Sequence, residues 1–201
     1  MTSTDDLPDD ALSPAVRDGF DVLDACHIQT VFTLGKLAAL VSRLANFGPD
    51  PEARAMAGEI TSFFSATARQ HHQDEERHVF PKLMASGNAD IVQAVLRLQQ
   101  DHAWLEEDWL ELAPQVDAVA CGQAWYDLDT LREGVEIFAA LSRDHMTLEE
   151  SLIYPEARKR LLAGERQEMG REMAARKRAQ SKAPSSRIGS PRFVPGPTGR
   201  G

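Results

Sequence analysis

Four long stretches of this chain repeat apolar residues at steps of three and four, which is the period of an amphipathic helix. The stripes extend over residues 16–41, 60–75, 91–112 and 131–152. Helix-breaking residues lie between them in "NFGPDP", in "ASGN" and around Gly122, and no stretch shows the strict alternation of a strand. Four amphipathic helices with short connections predict an all-α fold, an up-down-up-down antiparallel four-helix bundle.

The 201 residues fit one domain with flanking segments. We predict the bundle over residues 14–163, after a flexible acidic N-terminus over residues 1–13. Residues 164–182 are predicted to form a short basic helix. The Pro, Gly and Ser content of residues 183–201 is typical of a disordered tail.

One histidine interrupts each apolar stripe, and the four are His27, His71, His102 and His145. In an antiparallel hairpin, residues equally far from the turn lie at the same height. Along this chain, consecutive histidines are equally far from the turn between them to within about one helical turn. The four imidazoles are therefore predicted to converge on one layer of the core.

Two of these histidines open copies of the same motif, "HHQDEERHVFP" from His71 and "HMTLEESLIYP" from His145. Each copy reads His, three residues, Glu-Glu, three residues, an aromatic residue and Pro. Residues four apart share one face of a helix, so Glu75 is predicted to point with His71 and Glu149 with His145. The duplication places two His–Glu pairs in the predicted histidine layer.

His102 and Glu106 repeat the His-to-Glu spacing without the rest of the motif. A single His in an apolar stripe is usually a hydrogen-bonded core residue, and a single Glu four positions away is usually solvated. Several buried carboxylates without counter-charges would cost several kcal/mol each, which is a large part of the stability of an ordinary domain. Metal cations neutralise carboxylates and use imidazole lone pairs, so the pattern favours a metal site. Nitrogen and oxygen ligands without thiolate suit iron, manganese or zinc, and bridging carboxylates suit a pair of metals.

With these residues in this order, the sequence resembles the hemerythrin-like family of HHE cation-binding domains, whose four-helix bundle carries two non-haem iron ions. The family signature is His on the first helix, His-x-x-x-Glu on the second, His on the third and His-x-x-x-Glu/Asp on the fourth. The resemblance covers about residues 14–162. It implies two iron ions, bridged by carboxylate and by oxo or hydroxo groups, with the ligands His27, His71, Glu75, His102, His145 and Glu149. Ferritin-like bundles have a different order, because Glu there precedes His by three residues.

One position departs from the oxygen-carrying members of the family, which have a second His one turn after the first on the third helix. This chain has Glu106 there. The resemblance implies Glu106 as a seventh ligand, and the alternative is a solvated acid beside Glu107 and Asp108. Hard anionic oxygen ligands favour the ferric state, which argues against reversible oxygen carriage.

Two further histidines lie in the first motif copy. His72 is rotated by about 100° from His71 and is expected to face a neighbouring helix or solvent. His78 lies seven residues after His71 on the same face. It could contact a ligand residue, gate the site or bind the metal itself, or it could be a surface residue near Pro81.

The resemblance implies a protein that binds or reacts with oxygen, nitric oxide or peroxide, in sensing, stress response or iron handling. Two alternatives remain open at this point. One is a sensor or interaction module whose metal state switches the basic tail. The other is a carboxylate-rich diiron oxidase, so the sequence leaves open whether the protein is an enzyme.

Charge is divided unevenly along the chain, with a balance of −18 over residues 1–157 and +9 over residues 158–201. The basic segment could bind an anionic partner or lie on its own acidic domain. Nucleic-acid binding by the acidic body is not expected, because phosphate contacts need a basic surface. No apolar run approaches the roughly 20 residues that cross a bilayer, and "MTSTDDLPDD" lacks the features of a signal peptide. We expect a cytoplasmic protein without a membrane partner.

Overall fold

The computed structural model describes residues 18–182, with side chains described as far as residue 179. This part of the chain is helical and contains no strand, which confirms the all-α prediction. The elements are α1 (Gly19–Phe47), α2 (Pro51–Ser62), a first π-helical segment (Phe63–Ala68), α3 (Arg69–His78), α4 (Phe80–Met84), α5 (Ala89–Ala120), α6 (Leu128–Leu148), a second π-helical segment (Glu149–Ile153), α7 (Tyr154–Arg160) and α8 (Ala163–Lys182). The predictions for residues 1–13 and 183–201 lie outside the described residues.

Short polar side chains start the long helices. Asp18, Asp50, Asn88 and Asp127 each accept a hydrogen bond from a backbone N–H in the first turn of the helix that follows. Such caps satisfy donors that have no partner within the helix. Glycines with positive φ lie in the three connections between the long helices, where a side chain would be strained, and they are Gly48, Gly87 and Gly122. The sequence therefore sets where each long helix begins and turns.

The long helices pack in a closed ring. Helix α1 contacts α2 and α6, and α5 contacts the same two helices from the other side. This packing is compatible with a helical bundle. The up-down-up-down order stays a prediction.

The apolar core consists of two clusters with a polar layer between them. One cluster joins the C-terminal half of α1 and α2 to the later part of α5 and to α6. The other joins the start of α1, α4, the start of α5, α7 and α8. Along α1 and α5, a buried histidine separates the residues of one cluster from those of the other: His27 on α1 and His102 on α5. The candidate ligands thus lie where apolar packing is interrupted on each helix.

Three residues of the predicted stripes face outwards: Val31 and Ala38 on α1, and Thr67. On α1, Val31 is 59% exposed, because Thr30 takes the inward position one helical turn after His27. Thr67 is exposed because it lies in the first π-helical segment. The wider π turn shifts the register of the following residues, and this restores the inward direction of His71 on α3.

Helix α8 lies against the body of the protein. Met169 and Met173 are buried in the second apolar cluster. Helix α8 packs closely on α1 at Gly19, where an added Cβ atom would overlap the side chain of Met169. Arg166 also forms an ion pair with Asp18. The predicted basic helix is therefore packed on the domain through apolar as well as charged contacts.

Helix α1 is long and apolar enough to cross a membrane by length and composition alone, with a mean hydropathy of 1.2 over 18 residues. Within the described residues it is the one helix that passes this test. Core helices of soluble proteins pass the same test. One face of α1 carries His27 and is buried against the rest of the domain.

Candidate metal centre

Six of the residues predicted as ligands meet in the layer between the two apolar clusters. They come from four parts of the chain and are all buried: His27 on α1, His71 and Glu75 on α3, His102 on α5, His145 on α6, and Glu149 at the start of the second π-helical segment. Their potential ligand atoms form two groups, each with its atoms within 4.8 Å of one another. Both groups contain Glu75 and Glu149.

We call the first group the first ion site, formed by His27, His71, Glu75 and Glu149. The Nε2 atoms of His27 and His71 lie 3.1 Å apart. Oε2 of Glu149 is 3.1 Å from His27 Nε2, and Oε1 of Glu75 is 3.5 Å from His71 Nε2. Donor atoms at about 2.1 Å from one metal ion lie about 3 Å from their neighbours, so these spacings suit a shared cation.

The second ion site is formed by His102 and His145 with the other oxygens of the same carboxylates. Oε2 of Glu75 lies 3.5 Å from His102 Nε2. Oε1 of Glu149 lies 3.1 Å from His145 Nε2 and 3.9 Å from His102 Nε2. Each carboxylate thus offers one oxygen to each site, which is the arrangement of a bridging ligand.

Buried polar atoms at both sites lack hydrogen-bond partners among the described residues. They include Oε2 of Glu75, both carboxylate oxygens of Glu149, and the Nε2 atoms of His102 and His145. Unpaired buried polar groups are costly, and native proteins rarely leave several together. Metal cations would satisfy all five atoms, so the residues present fit a pair of ions.

Electrostatics support the same conclusion for the two carboxylates. Burial, together with the charge of Glu149, raises the pKa of Glu75 to about 7. Burial also opposes ionisation of Glu149, but the charge of His145 and the close approach of the His102 and His27 imidazoles hold its pKa well below the usual range. Without cations, the layer depends on protonated imidazoles to balance the buried carboxylate charge. Metal ions would replace those protons.

The second Glu of each motif copy contacts a ligand histidine from another helix. Glu76 Oε1 lies 2.8 Å from Nδ1 of His102, and Glu150 Oε1 lies 2.9 Å from Nδ1 of His27. A carboxylate on the outer nitrogen fixes the tautomer and leaves Nε2 as the free donor for a metal. The Glu-Glu pair therefore combines a residue shared by both groups with a residue that contacts a clustered histidine on another helix.

The aromatic residue of each copy packs on the same histidine. Phe80 stacks on His102, with ring centroids 5.5 Å apart, and Tyr154 stacks on His27 at 5.2 Å. The hydroxyl of Tyr154 also donates a 2.5 Å hydrogen bond to Oε1 of Glu75. Each motif copy thus holds one histidine in place by a carboxylate and an aromatic ring.

Comparison with known proteins agrees with this geometry. The sequence model of the hemerythrin HHE cation binding domain family matches residues 18–157, which contain both motif copies and all six clustered residues. The chain belongs to this family. An uncharacterized protein of Haemophilus influenzae is similar to this HHE protein, with 29% identity over 160 residues that cover 80% of this chain and 90% of that protein.

Two other residues predicted for the HHE site lie outside the cluster. Glu106 forms an ion pair with Arg69 at 2.7 Å, and both side chains are about half exposed. His78 lies 3.5 Å from Glu172 and 3.3 Å from Arg176, both on α8. The structure therefore does not bring Glu106 or His78 to the six clustered residues.

Sequence reasoning assigned no part in the site to two residues that lie beside the cluster. His72, expected to face a neighbouring helix or solvent, stacks on His102 with centroids 4.1 Å apart and groups with His102 and His145. Asp101 is buried, with Oδ2 at 3.9 Å from Nδ1 of His145. The doubled His at the start of the first motif copy was a signal in the sequence for His72. Asp101 directly precedes His102, and no motif spacing marks that position.

A cavity of about 180 Å³ opens beside the six-residue cluster. Four histidines line the cluster end of the cavity: His27, His71, His72 and His145. Its walls are largely apolar and include Phe64, Leu105, Trp109, Phe138 and Met146. Arg69 and Glu106 line it at half-exposed positions. One liquid water occupies about 30 Å³, so the cavity has room for several small molecules. A small uncharged molecule could therefore reach the cluster through an apolar space.

Proposed function

We propose that this protein is a non-haem diiron protein that binds or reacts with a small molecule, such as oxygen, nitric oxide or peroxide. The observation that carries the proposal is the sharing of Glu75 and Glu149 by two histidine pairs, His27 with His71 and His102 with His145. Two cations that share two carboxylates need such an arrangement. The up-down-up-down order of the bundle is part of the same proposal, because it would bring one histidine per long helix to one layer.

The residues have separate parts in this proposal. The carboxylates of Glu75 and Glu149 and the four clustered imidazoles would hold the ions. Glu76 and Glu150 keep His102 and His27 in the orientation and tautomer that metal binding requires. Bound iron would supply an electron-accepting centre with exchangeable positions for a small ligand.

The cavity supports a small, uncharged ligand. Its walls are largely apolar, and charged side chains are found at its half-exposed positions, Arg69 and Glu106. Away from the proposed ions, the described cavity walls offer an anion no unpaired cationic side chain, because Arg69 is already paired with Glu106. Sensing, stress response and iron handling are all compatible with such chemistry.

Metal analysis and optical spectroscopy test the proposal. The protein should hold two iron ions per chain, and exposure of the reduced form to nitric oxide should change its absorption spectrum. His71→Ala removes a nitrogen from the first ion site and His145→Ala from the second. Each should lower the iron content. Normal iron content in both variants would refute the proposal.

A contact with α8 favours a second candidate, a sensor in which the metal state acts on the C-terminal segment. Arg176 on α8 forms an ion pair with Asp74, the residue before the bridging Glu75. A change in charge at the ions would therefore alter the electrostatic attraction between Asp74 and Arg176 on α8. Arg176→Gln tests this candidate: iron content should stay normal, while protease sensitivity of the C-terminal segment should no longer differ between oxidised and reduced protein. An unchanged difference would count against the sensor.

A further inference from the structure

We propose that His72 is the third imidazole ligand of the second ion site, where the HHE signature as matched in this sequence provides only His102 and His145. This assignment rests on the proposed diiron function and concerns a residue outside the six ligands derived above. It makes the two ions chemically different.

The first argument is the position of His72 on α3. His71 and His72 are neighbours, and they point to opposite sides of Glu75, which lies four residues after one and three after the other. His71 faces α1, with Nε2 at 3.1 Å from Nε2 of His27. His72 faces α5 and α6, with its ring centroid 4.1 Å from that of His102 and 5.5 Å from that of His145. Two adjacent residues thus reach the two ion sites from one helix.

The second argument is the donor group itself. One nitrogen each of His72, His102 and His145 lie within 4.8 Å of one another, the same limit that joins the ligands of the two ion sites. His102 and His145 belong to this group and to the carboxylate group of the second ion site. A cation bound between His102 and His145 would therefore have a nitrogen of His72 close by.

The third argument is that His72 has a free lone pair. No hydrogen bond to His72 occurs among the described residues, and its contacts are with other imidazoles. A half-buried imidazole that makes no hydrogen bond has a ring nitrogen available to bind a cation.

The fourth argument comes from the other motif copy. The position that corresponds to His72 is Met146, which is buried and lines the cavity. The first ion site therefore gains no equivalent nitrogen. The second ion would have three imidazoles and two carboxylate oxygens, and the first ion two of each, which leaves more open positions at the first ion.

Two substitutions separate metal binding from ring stacking. His72→Phe keeps an aromatic ring against His102 but removes the nitrogen donor. His72→Glu removes the stacked ring but keeps a donor for the metal. His78→Gln, on the same helix but away from the cluster, is the matched control. Release of iron to a strong chelator is followed for each variant, with Mössbauer spectra of ⁵⁷Fe-loaded protein to identify which ion is lost.

We expect His72→Phe to release one ion at least about tenfold faster than the wild type while the other ion is released at the normal rate. His72→Glu and His78→Gln should retain both. Release at the wild-type rate from His72→Phe would overturn the assignment, as would equal weakening in the Phe and Glu variants, which would assign His72 to packing. A wild-type protein that never holds a second ion would instead contradict the proposed diiron function, and the assignment with it.

A measurement on the wild type covers the case in which a variant fails to fold. Histidine labelled with ¹⁵N in the iron-loaded, reduced protein should show five of the six imidazoles with the large contact shifts of direct iron ligation. His78 should be the sixth, with a small shift. Four strongly shifted imidazoles, with His72 among the others, would overturn the assignment.

Discussion

The two copies of the motif have the same skeleton but create different surroundings for the two ion sites. In both, the first Glu lies between the sites and the second Glu holds a histidine of another helix, through Glu76 on His102 and Glu150 on His27. The copies differ at the residue after the first His and at the aromatic residue. His72 and Phe80 in the first copy correspond to Met146 and Tyr154 in the second.

The opening histidines of the two copies also differ electrostatically. Burial, reinforced by the charges of neighbouring imidazoles, lowers the pKa of His71 to about 3. Burial acts in the same direction on His145, but the charge of Glu149 and the nearby carboxylate of Asp101 outweigh this and raise the pKa of His145 to about 9. A duplicated motif therefore fixes which residues meet, while the neighbours from other helices decide the charge each one carries.

The largest expected effect on iron content comes from the first Glu of each motif copy, Glu75 and Glu149. Glu75→Gln and Glu149→Gln should each lower the iron content from two ions per chain to well below one, because each carboxylate offers an oxygen to both ion sites. Iron-to-protein ratios measure this, with the exposed Glu107→Gln as the control. Loss of a single ion from either variant would contradict the bridging arrangement.

The orienting residues should separate the two ions. Glu76→Gln and Glu150→Gln should each weaken iron binding by about 10- to 100-fold, the usual effect of removing a partner from the outer nitrogen of a ligand histidine. Glu76→Gln should affect the second ion through His102, and Glu150→Gln the first ion through His27. Chelator competition with ⁵⁷Fe Mössbauer spectra distinguishes the ions. Weakening of the same ion by both variants would show that the copies do not act on separate sites.

The opposite pKa shifts of His71 and His145 predict a pH response of the metal-free protein on both sides of neutrality. His145 has a folded-state pKa above its unfolded value, so its contribution to stability is fully present below about pH 6.5 and is lost as pH rises towards 9. His71 has a lowered pKa, so stability is lost as pH falls from about 6.5 towards 3.

Thermal unfolding of the chelator-treated protein tests this response. The midpoint should fall by roughly 5 °C between pH 6.5 and 9. His145→Gln should flatten this alkaline side, and His71→Gln should flatten the acid side. Iron-loaded protein should show neither slope near neutrality, because metal binding occupies the imidazole lone pairs. Identical pH profiles of the two metal-free variants would contradict the difference between the copies.

The smallest expected effect concerns the aromatic position. Tyr154→Phe makes the second copy resemble the first and removes the buried hydrogen bond to Glu75. The free energy of unfolding of the metal-free protein should fall by about 1–2 kcal/mol, measured by urea denaturation. Tyr126→Phe, at the other tyrosine of the chain, should have a smaller effect. Equal effects of the two substitutions would mean that the Tyr154 hydroxyl adds nothing specific to the cluster.

Much of the centre could be predicted from spacing alone. The steps of three and four placed His27, His71, His102 and His145 on the inner faces of separate helices, and the four-residue spacing added Glu75 and Glu149. These six residues meet in the structure. Their predicted role as iron ligands awaits the metal measurements, although the family match supports cation binding.

The four-residue spacing from His102 also predicted Glu106 at the site, but for this residue the spacing was not sufficient. Glu106 has the spacing of a ligand from His102, but a helix face is wide enough to carry one residue to the cluster and the next to its edge. Arg69, on α3, lies opposite and forms the ion pair. A partner on another helix, which no local spacing reveals, holds Glu106 at the half-exposed side of the cavity.

The sequence by itself determined the all-helical architecture, the family and the residue types available for binding a cation, because helical periodicity and capping are local properties of the chain. Only the tertiary structure decided which oxygen of each carboxylate faces which histidine pair, that the second Glu of each motif copy orients a histidine on another helix, and that His72 lies against His102. Those relations depend on the rotation and register of packed helices. The π-helical turns shift this register, and they arise where the whole core, rather than the local sequence, sets the direction of each side chain.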